Sequence, residues 1–260
     1  MARFKIDKTG HLEIKDGTKT VTIVKKELFD SFNQDILGLG SISVKSNQIN
    51  ALSAMFDLEG FTNFCKQIDP QLAVPEYLSE FLKWIFEEIR NELIEKTHEQ
   101  GYETWSDLPF LCKYMGDGIL FLWDTEEMSD TEIQNVVVSM YEVCGKYLTK
   151  FLPKISKKII SPPLKLRCGI ARGAIYSVGN GNDFVGPCIN MSARLQKFNS
   201  LSFCFSRRGI DPNKMAEKYK SIFIVKKVEI RGIGESELVC LSKKEFDALN
   251  ETEKAKFTDV

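Results

Sequence analysis

A chain of 260 residues with 43% hydrophobic content favours one sizeable domain carrying an appendage over two equal domains. With 35 Lys and Arg against 36 Asp and Glu it has no global basic field of the kind non-specific nucleic-acid binding leaves, so nucleic acid is discounted as the main partner. The 7 cysteines are scattered and never form a Cys-x-x-Cys pair, which argues against a disulfide framework and a zinc site. No apolar stretch approaches the roughly 18 residues of a membrane span and no signal-peptide core follows Met1, so a soluble cytoplasmic protein without a membrane partner is expected.

Residues 1–47 read as an N-terminal β-arm and short helix. Phe4-Lys5-Ile6-Asp7 and Leu12-Glu13-Ile14 alternate across Thr9-Gly10, Val21 to Val24 makes another strand, and a helix falls near Glu27 to Leu37. Such an arm serves as a packing flap or as a dimerisation arm. Ala51 to Asp57 is a near-continuous apolar run, suited to the centre of a sheet covered on both faces. Leu78, Leu82, Ile85 and Ile89 recur at helical spacing behind Pro75, which is placed in a first turn. Phe110 to Tyr114 and Ile119 to Trp123 flank Met115-Gly116-Asp117-Gly118 as a β-hairpin. Ile133, Val137, Met140, Cys144, Tyr147 and Phe151 mark an amphipathic helix expected to stop before Pro153. Leu164 to Ala171 and Gly173 to Val178 read as two strands with a bend at Arg172-Gly173. Strands at Phe203 to Phe205, Ile222 to Ile230 and Glu237 to Leu241 follow, with a helix over Asp211 to Lys218 and a peripheral C-terminal helix within 243–260.

Three segments carry chemistry. Asp57 in Phe56-Asp57-Leu58-Glu59-Gly60-Phe61-Thr62 and Asp117 in Lys113-Tyr114-Met115-Gly116-Asp117-Gly118 each end a strand-like run, as a two-metal phosphoryl-transfer site needs. The third, Asp183-Phe184-Val185-Gly186-Pro187-Cys188-Ile189-Asn190-Met191-Ser192-Ala193-Arg194, puts an amide and a guanidinium four residues apart on one helix face. Singly, each has a plain structural explanation: a strand-end turn, a hairpin turn, a solvated helix charge. Their joint occurrence in order is far more specific.

Over residues 48–242 the chain resembles the catalytic domain of class III nucleotidyl cyclases, the family of most adenylyl and guanylyl cyclases. The resemblance implies an α+β fold: a ferredoxin-like palm sheet of mostly antiparallel strands covered by helices. It also implies conversion of a nucleoside triphosphate to a 3′,5′-cyclic nucleotide and diphosphate with two divalent cations per site, Mn2+ or Mg2+. By the same resemblance Asp57, Leu58 and Asp117 hold metal, and Asn190 and Arg194 are catalytic. Lys113, Asp183, Phe56, Phe61, Thr62 and Arg231 contact substrate; around Arg231 the pattern departs from the family's double lysine. Because the family builds each site from two subunits and this chain carries both sets, a homodimer with two interfacial sites is implied.

By the same resemblance Lys113 and Asp183 occupy the base-reading positions. Lysine only donates and a carboxylate only accepts, so the pair fits adenine or cytosine in one order and uracil if the partners exchange. Phe56 and Tyr114, bulky where the family's purine cyclases commonly have small residues, narrow the pocket toward a single ring unless strand alternation sends Phe56 into the core. A stand-alone soluble chain of this kind is similar to the bacterial pyrimidine cyclases of antiphage defence, whose product, cyclic UMP or cyclic CMP, is read by a separate effector. UTP is the expected substrate, with CTP or ATP, or a silent nucleotide-binding homologue, as alternatives. A diguanylate cyclase or polymerase palm would show an acidic Gly-Gly-acidic turn in place of Met115-Gly116-Asp117-Gly118.

Overall fold

The computed structural model describes residues 12–16, 19–23, 25–30, 33–97, 103–198 and 200–260. The strand expected at Phe4 to Asp7 lies outside them, as does Val24. The chain forms two compact units, Met1–Gln48 with Tyr176–Val185, and Ile49–Ile175 with Gly186–Val260.

In the first unit β1 (Leu12–Asp16) and β2 (Lys19–Ile23) pair antiparallel, Leu12 opposite Ile23 and Asp16 opposite Lys19. The helix expected over Glu27 to Leu37 is two pieces, α1 (Lys26–Asp30) and a 3-10 turn at Gln34–Leu37. Asn33 breaks it: its backbone is extended and its side chain caps the second piece by accepting from the Asp35 amide at 2.9 Å. Elsewhere in this unit Asp183–Val185 pairs antiparallel with Tyr176–Val178.

The second unit is built on β3 (Gln48–Glu59), which is followed by the short α2 (Phe61–Phe64) and the long α3 (Pro70–Leu93). A small hairpin of β4 (Ile94–Thr97) and β5 (Glu103–Trp105) precedes the main hairpin of β6 (Leu111–Tyr114) and β7 (Gly118–Asp124). Next come α4 (Asp130–Lys146), α5 (Leu152–Ile155), β8 (Lys165–Val178), whose last residues with β9 (Asp183–Val185) belong to the first unit, and α6 (Pro187–Leu195). The chain ends with β10 (Phe203–Ser206), α7 (Glu217–Lys220), β11 (Phe223–Ile230), β12 (Gly234–Ser242), α8 (Lys243–Ala248), α9 (Glu251–Lys254) and β13 (Phe257–Thr258). The sheet runs β13-β11-β12-β10-β8-β3-β7-β6, antiparallel at most pairings and parallel between β10 and β8. This is the expected α+β architecture.

Central β3 is buried at every position from Ala51 to Leu58. Alternation divides it: Leu52, Ala54, Phe56 and Leu58 join the apolar cluster made by α3 and α4, while Ser53 and Asp57 point the other way. Helix α4 starts on a capping box, Ser129 accepting from the Glu132 amide at 3.3 Å and Glu132 accepting from the Ser129 amide at 2.6 Å.

Several boundaries differ from expectation. Helix α3 begins at Pro70, so Pro75 lies inside it rather than in its first turn. Helical structure runs past Pro153, because a π turn at Tyr147–Phe151 leads into α5 and places the proline in that helix's first turn, where no amide hydrogen is required. The two strands with a bend at Arg172-Gly173 are one strand, β8; glycine there continues the extended backbone. The helix over Asp211 to Lys218 is a 3-10 turn at Pro212–Lys214 followed by α7. Residues 243–260 form two short helices and an edge strand, Lys227 pairing with Thr258 and Val228 with Phe257.

One buried carboxylate staples α3 to α4. Burial alone would raise the Glu88 pKa, but Lys146 at 2.9 Å and Lys150 at 3.1 Å outweigh it and hold it below the ordinary value. A depressed carboxylate stabilises fully above its unfolded pKa, about 4.3, and the contribution is lost as pH falls through the folded value. Glu88→Gln is therefore expected to lower Tm at pH 7 and to differ progressively less from the parent below pH 4, as read by thermal melts across pH.

Candidate active site

Main-chain pairing brings the two aspartates together. Strands β3 and β7 run antiparallel with Asp57 opposite Gly118, and the amide of Leu58 donates to the carbonyl of Asp117 at 3.2 Å. The β6–β7 turn is closed by the Met115 amide on the Gly118 carbonyl at 2.7 Å. Gly118 is required there, since a Cβ would sit 2.2 Å from the Phe56 carbonyl oxygen. Asp57 is 2% exposed and Asp117 half-buried. Beside them the Tyr114 phenol is raised above its ordinary pKa by burial and by the charge of Asp117.

Asp57 has two cationic partners that sequence reading missed. Arg167 of β8 donates to Oδ2 from both Nε, at 3.1 Å, and Nη2. Lys197, just past α6, brings its Nζ to 3.6 Å from Oδ1. Glu59 lies 3.6 Å from Lys165 and 3.9 Å from Arg167. The signal for Lys197 was its spacing, seven residues after Asn190 and three after Arg194 on the same helical face. Arg167 gave none, because nothing local says which strand lies beside β3.

Among the described residues no three His, Cys, Asp or Glu side chains gather as a metal group. The donors at hand are two carboxylates and the adjoining main chain of Leu58, all hard oxygens. One or two carboxylates completed by substrate phosphates is how Mg2+ is commonly held, so the residues fit a divalent cation arriving with a triphosphate.

Helix α6 lies against the face of β3 that carries Asp57. The hydroxyls of Ser53 and Ser192 meet at 2.7 Å in the interior, and Cys188, Ile189, Met191 and Leu195 are buried. Gly169 of β8 permits the approach, because a Cβ there would lie 2.2 Å from the Ser192 carbonyl oxygen and 2.3 Å from the Gln196 amide nitrogen. The outer face of α6 exposes Asn190 and Arg194. They line a cleft of about 450 Å3 together with Gln196, Lys197, Arg231 and Ile233. Arg231 reaches it from the β11–β12 turn, and the side-chain oxygen of Gln196 is buried there without a hydrogen-bond partner. Three cations thus share one cleft.

Each of the other candidates has its own surroundings. Phe56, expected at the base pocket, is fully buried in the α3–α4 cluster with its ring edge-on to Phe121 at 5.9 Å; it packs the core and narrows no pocket. Leu58 is buried on the same face. The Phe61 ring packs 5.9 Å from Phe64 and 6.5 Å from Tyr77, and Thr62 is exposed on α2. Lys113 is half-buried on β6. Asp183 belongs to the first unit, where its carboxylate accepts from the Phe184 amide at 2.9 Å. No helix among the described residues is long and apolar enough to cross a membrane.

No family model and no curated protein matches the sequence. Solved structures do match the fold. The adenylyl cyclase CyaB from P. aeruginosa aligns over 76% of this chain and 96% of its own, at a TM-score of 0.57 and 13% identity. The guanylyl cyclase Cya2 aligns over 76% and 94%, at 0.56 and 16%. The catalytic core of a rhodopsin-guanylyl cyclase with converted specificity, solved in complex with ATPαS, aligns over 76% and 98%, at 0.51 and 13%. This chain has the fold of class III adenylyl and guanylyl cyclase catalytic domains.

Substituting Gly169→Ala forces a methyl group into the backbone of α6. It is expected to cost about 1–3 kcal/mol of stability, the range for overpacking a filled interior, as read by denaturant unfolding.

Proposed function

We propose that this chain is a nucleotidyl cyclase, converting a nucleoside triphosphate to its 3′,5′-cyclic monophosphate and diphosphate. One observation carries the reading: Asp57 and Asp117, far apart in sequence, meet where β3 pairs with β7, Asp57 opposite Gly118 and Asp117 in the turn just before it. Asp57, Asp117 and the main-chain carbonyl of Leu58 would hold two divalent cations, Mn2+ or Mg2+. When bound, such ions lower the pKa of the ribose 3′-hydroxyl and neutralise the triphosphate.

The chain's own residues then divide the work. Asn190 holds the ribose oxygen, Phe61 and Thr62 border the substrate, and Arg231 binds the β- and γ-phosphates. The 3′ oxygen bonds to the α-phosphorus as the bond to the bridging oxygen of diphosphate breaks, and the hydroxyl proton leaves to water. Arg194 stabilises charge on the five-coordinate phosphorus; it is exposed on α6 and so available to a ligand. Lys113 and Asp183 read the base. The proposed substrate is a pyrimidine triphosphate, UTP ahead of CTP, with Tyr114, 43% exposed beside Lys113, as the remaining bulky aromatic. The burial of Phe56 favours the second reading, ATP to cyclic AMP, because it withdraws one of the two groups that would narrow the pocket.

The cytoplasmic enzyme acts as a homodimer with two interfacial sites, in antiphage defence, and its product is read by a separate effector. Incubating the purified protein with each of the four triphosphates and Mn2+ tests activity and base together: cyclic UMP or CMP is expected, ATP as sole substrate removes the pyrimidine reading, and no product from any of the four removes the cyclase reading. Arg194→Ala is expected to lower kcat by about 100- to 1000-fold with little change in KM. Mixing inactive Asp117→Asn and Arg194→Ala chains should restore about a quarter of the parent activity, since half the dimers would carry one intact site of two. A mixture that stays inactive would argue that both sets act within one chain.

A further inference from the structure

The two oxygens of Asp57 are held differently. Arg167 directs two donors at Oδ2 from a side chain only 16% exposed, on the strand beside β3, and so fixes the carboxylate in place. Among the described residues the ion-pair partner facing Oδ1 is Lys197. That ammonium stands 3.6 Å away, beyond hydrogen-bond length, on a side chain 57% exposed in the turn after α6. A flexible four-carbon stem lets such a cation leave at small cost.

We propose that Lys197 and the divalent ion compete for Oδ1 of Asp57, and that the displaced Lys197 binds the triphosphate that accompanies the ion. The inference rests on the reading of Asp57 as a metal ligand. An ion held by this carboxylate would set a second positive charge against the ammonium that now faces it, and the two would repel. A triphosphate arriving with the ion would offer the ammonium other oxyanions, and Lys197 is a lining residue of an open cleft. Lys197 therefore exchanges one oxyanion for another as ion and triphosphate enter, and no charge is left unpaired. In the interfacial arrangement Lys197, in the turn after α6, serves the site of its own Asp57, while Asn190 and Arg194 of the same chain serve the other site.

The two affinities respond with opposite signs, which a merely structural role would not produce. In Lys197→Gln, Mn2+ alone is expected to bind about two- to fivefold tighter by calorimetry, the range for removing an exposed ionic competitor. The preformed Mn2+–tripolyphosphate complex is expected to bind weaker by a similar factor, and Lys197→Arg to restore both values towards the parent. If Lys197→Gln leaves Mn2+ affinity unchanged or weaker while Asp57→Asn abolishes Mn2+ binding, the exchange is wrong and the metal site stands. If Asp57→Asn binds Mn2+ as the parent does, the metal reading itself falls.

Discussion

A carboxylate that is 2% exposed has surrendered its water, and the protein must supply the compensation. For Asp57 it comes from Arg167 on β8 and Lys197 after α6. Removing one member of a buried ion pair typically costs about 3–5 kcal/mol, because the other charge is left stranded. The arrangement of β3, β8 and α6 is thereby tied to the ion pairs of one side chain. Gly169 and the Ser53–Ser192 hydroxyl pair close the same three-element junction by steric fit and by hydrogen bonding. Charge, shape and polarity agree on where α6 lies, and α6 carries Asn190 and Arg194.

The second constraint is the two-residue period of β3. Phe56 and Leu58 belong to the apolar cluster, and Asp57 between them must face away from it. A register slip of one residue would bury the carboxylate among aromatic rings and expel Phe56. The aspartate is thus positioned by the hydrophobic core on the far side of its own strand. Asp117 inherits the same precision through the β3–β7 ladder.

What was legible in the sequence was local. The hairpin around Met115-Gly116-Asp117-Gly118, the apolar run ending in Asp57 and the helix bearing Asn190 and Arg194 all show in short-range period and turn chemistry. What was not legible depended on neighbours. Proline at 75 and 153 looked like a boundary because the rule counts a lost amide, whereas α3 starts at a second proline upstream and a π turn resets the ladder before α5. Gly173 looked like a bend because glycine permits one, yet β8 runs straight through it. Phe56 was undecided until the register of β3 fixed which face met the helices. Arg167 lies 110 residues from its carboxylate, and only the strand order makes them partners.

With a net charge of −1 the chain as a whole is nearly neutral, yet the site is not locally neutral. Asp57 and Asp117 flank one end of the β3–β7 ladder, Arg194 and Arg231 line the cleft on α6, and Lys197 stands between the two. On the proposed reading that separation has a use, because a surface carrying both signs can be its own complement only under a two-fold rotation, which sets each sign against the other. Neither set suffices by itself for in-line transfer: acids without the guanidinium leave the five-coordinate phosphorus uncompensated, and the guanidinium without acids leaves the 3′-hydroxyl unactivated. Activity would then follow the concentration of paired chains, and Lys197, lying between the acids and the cleft in a single chain, would link the filling of one half-site to the readiness of the other.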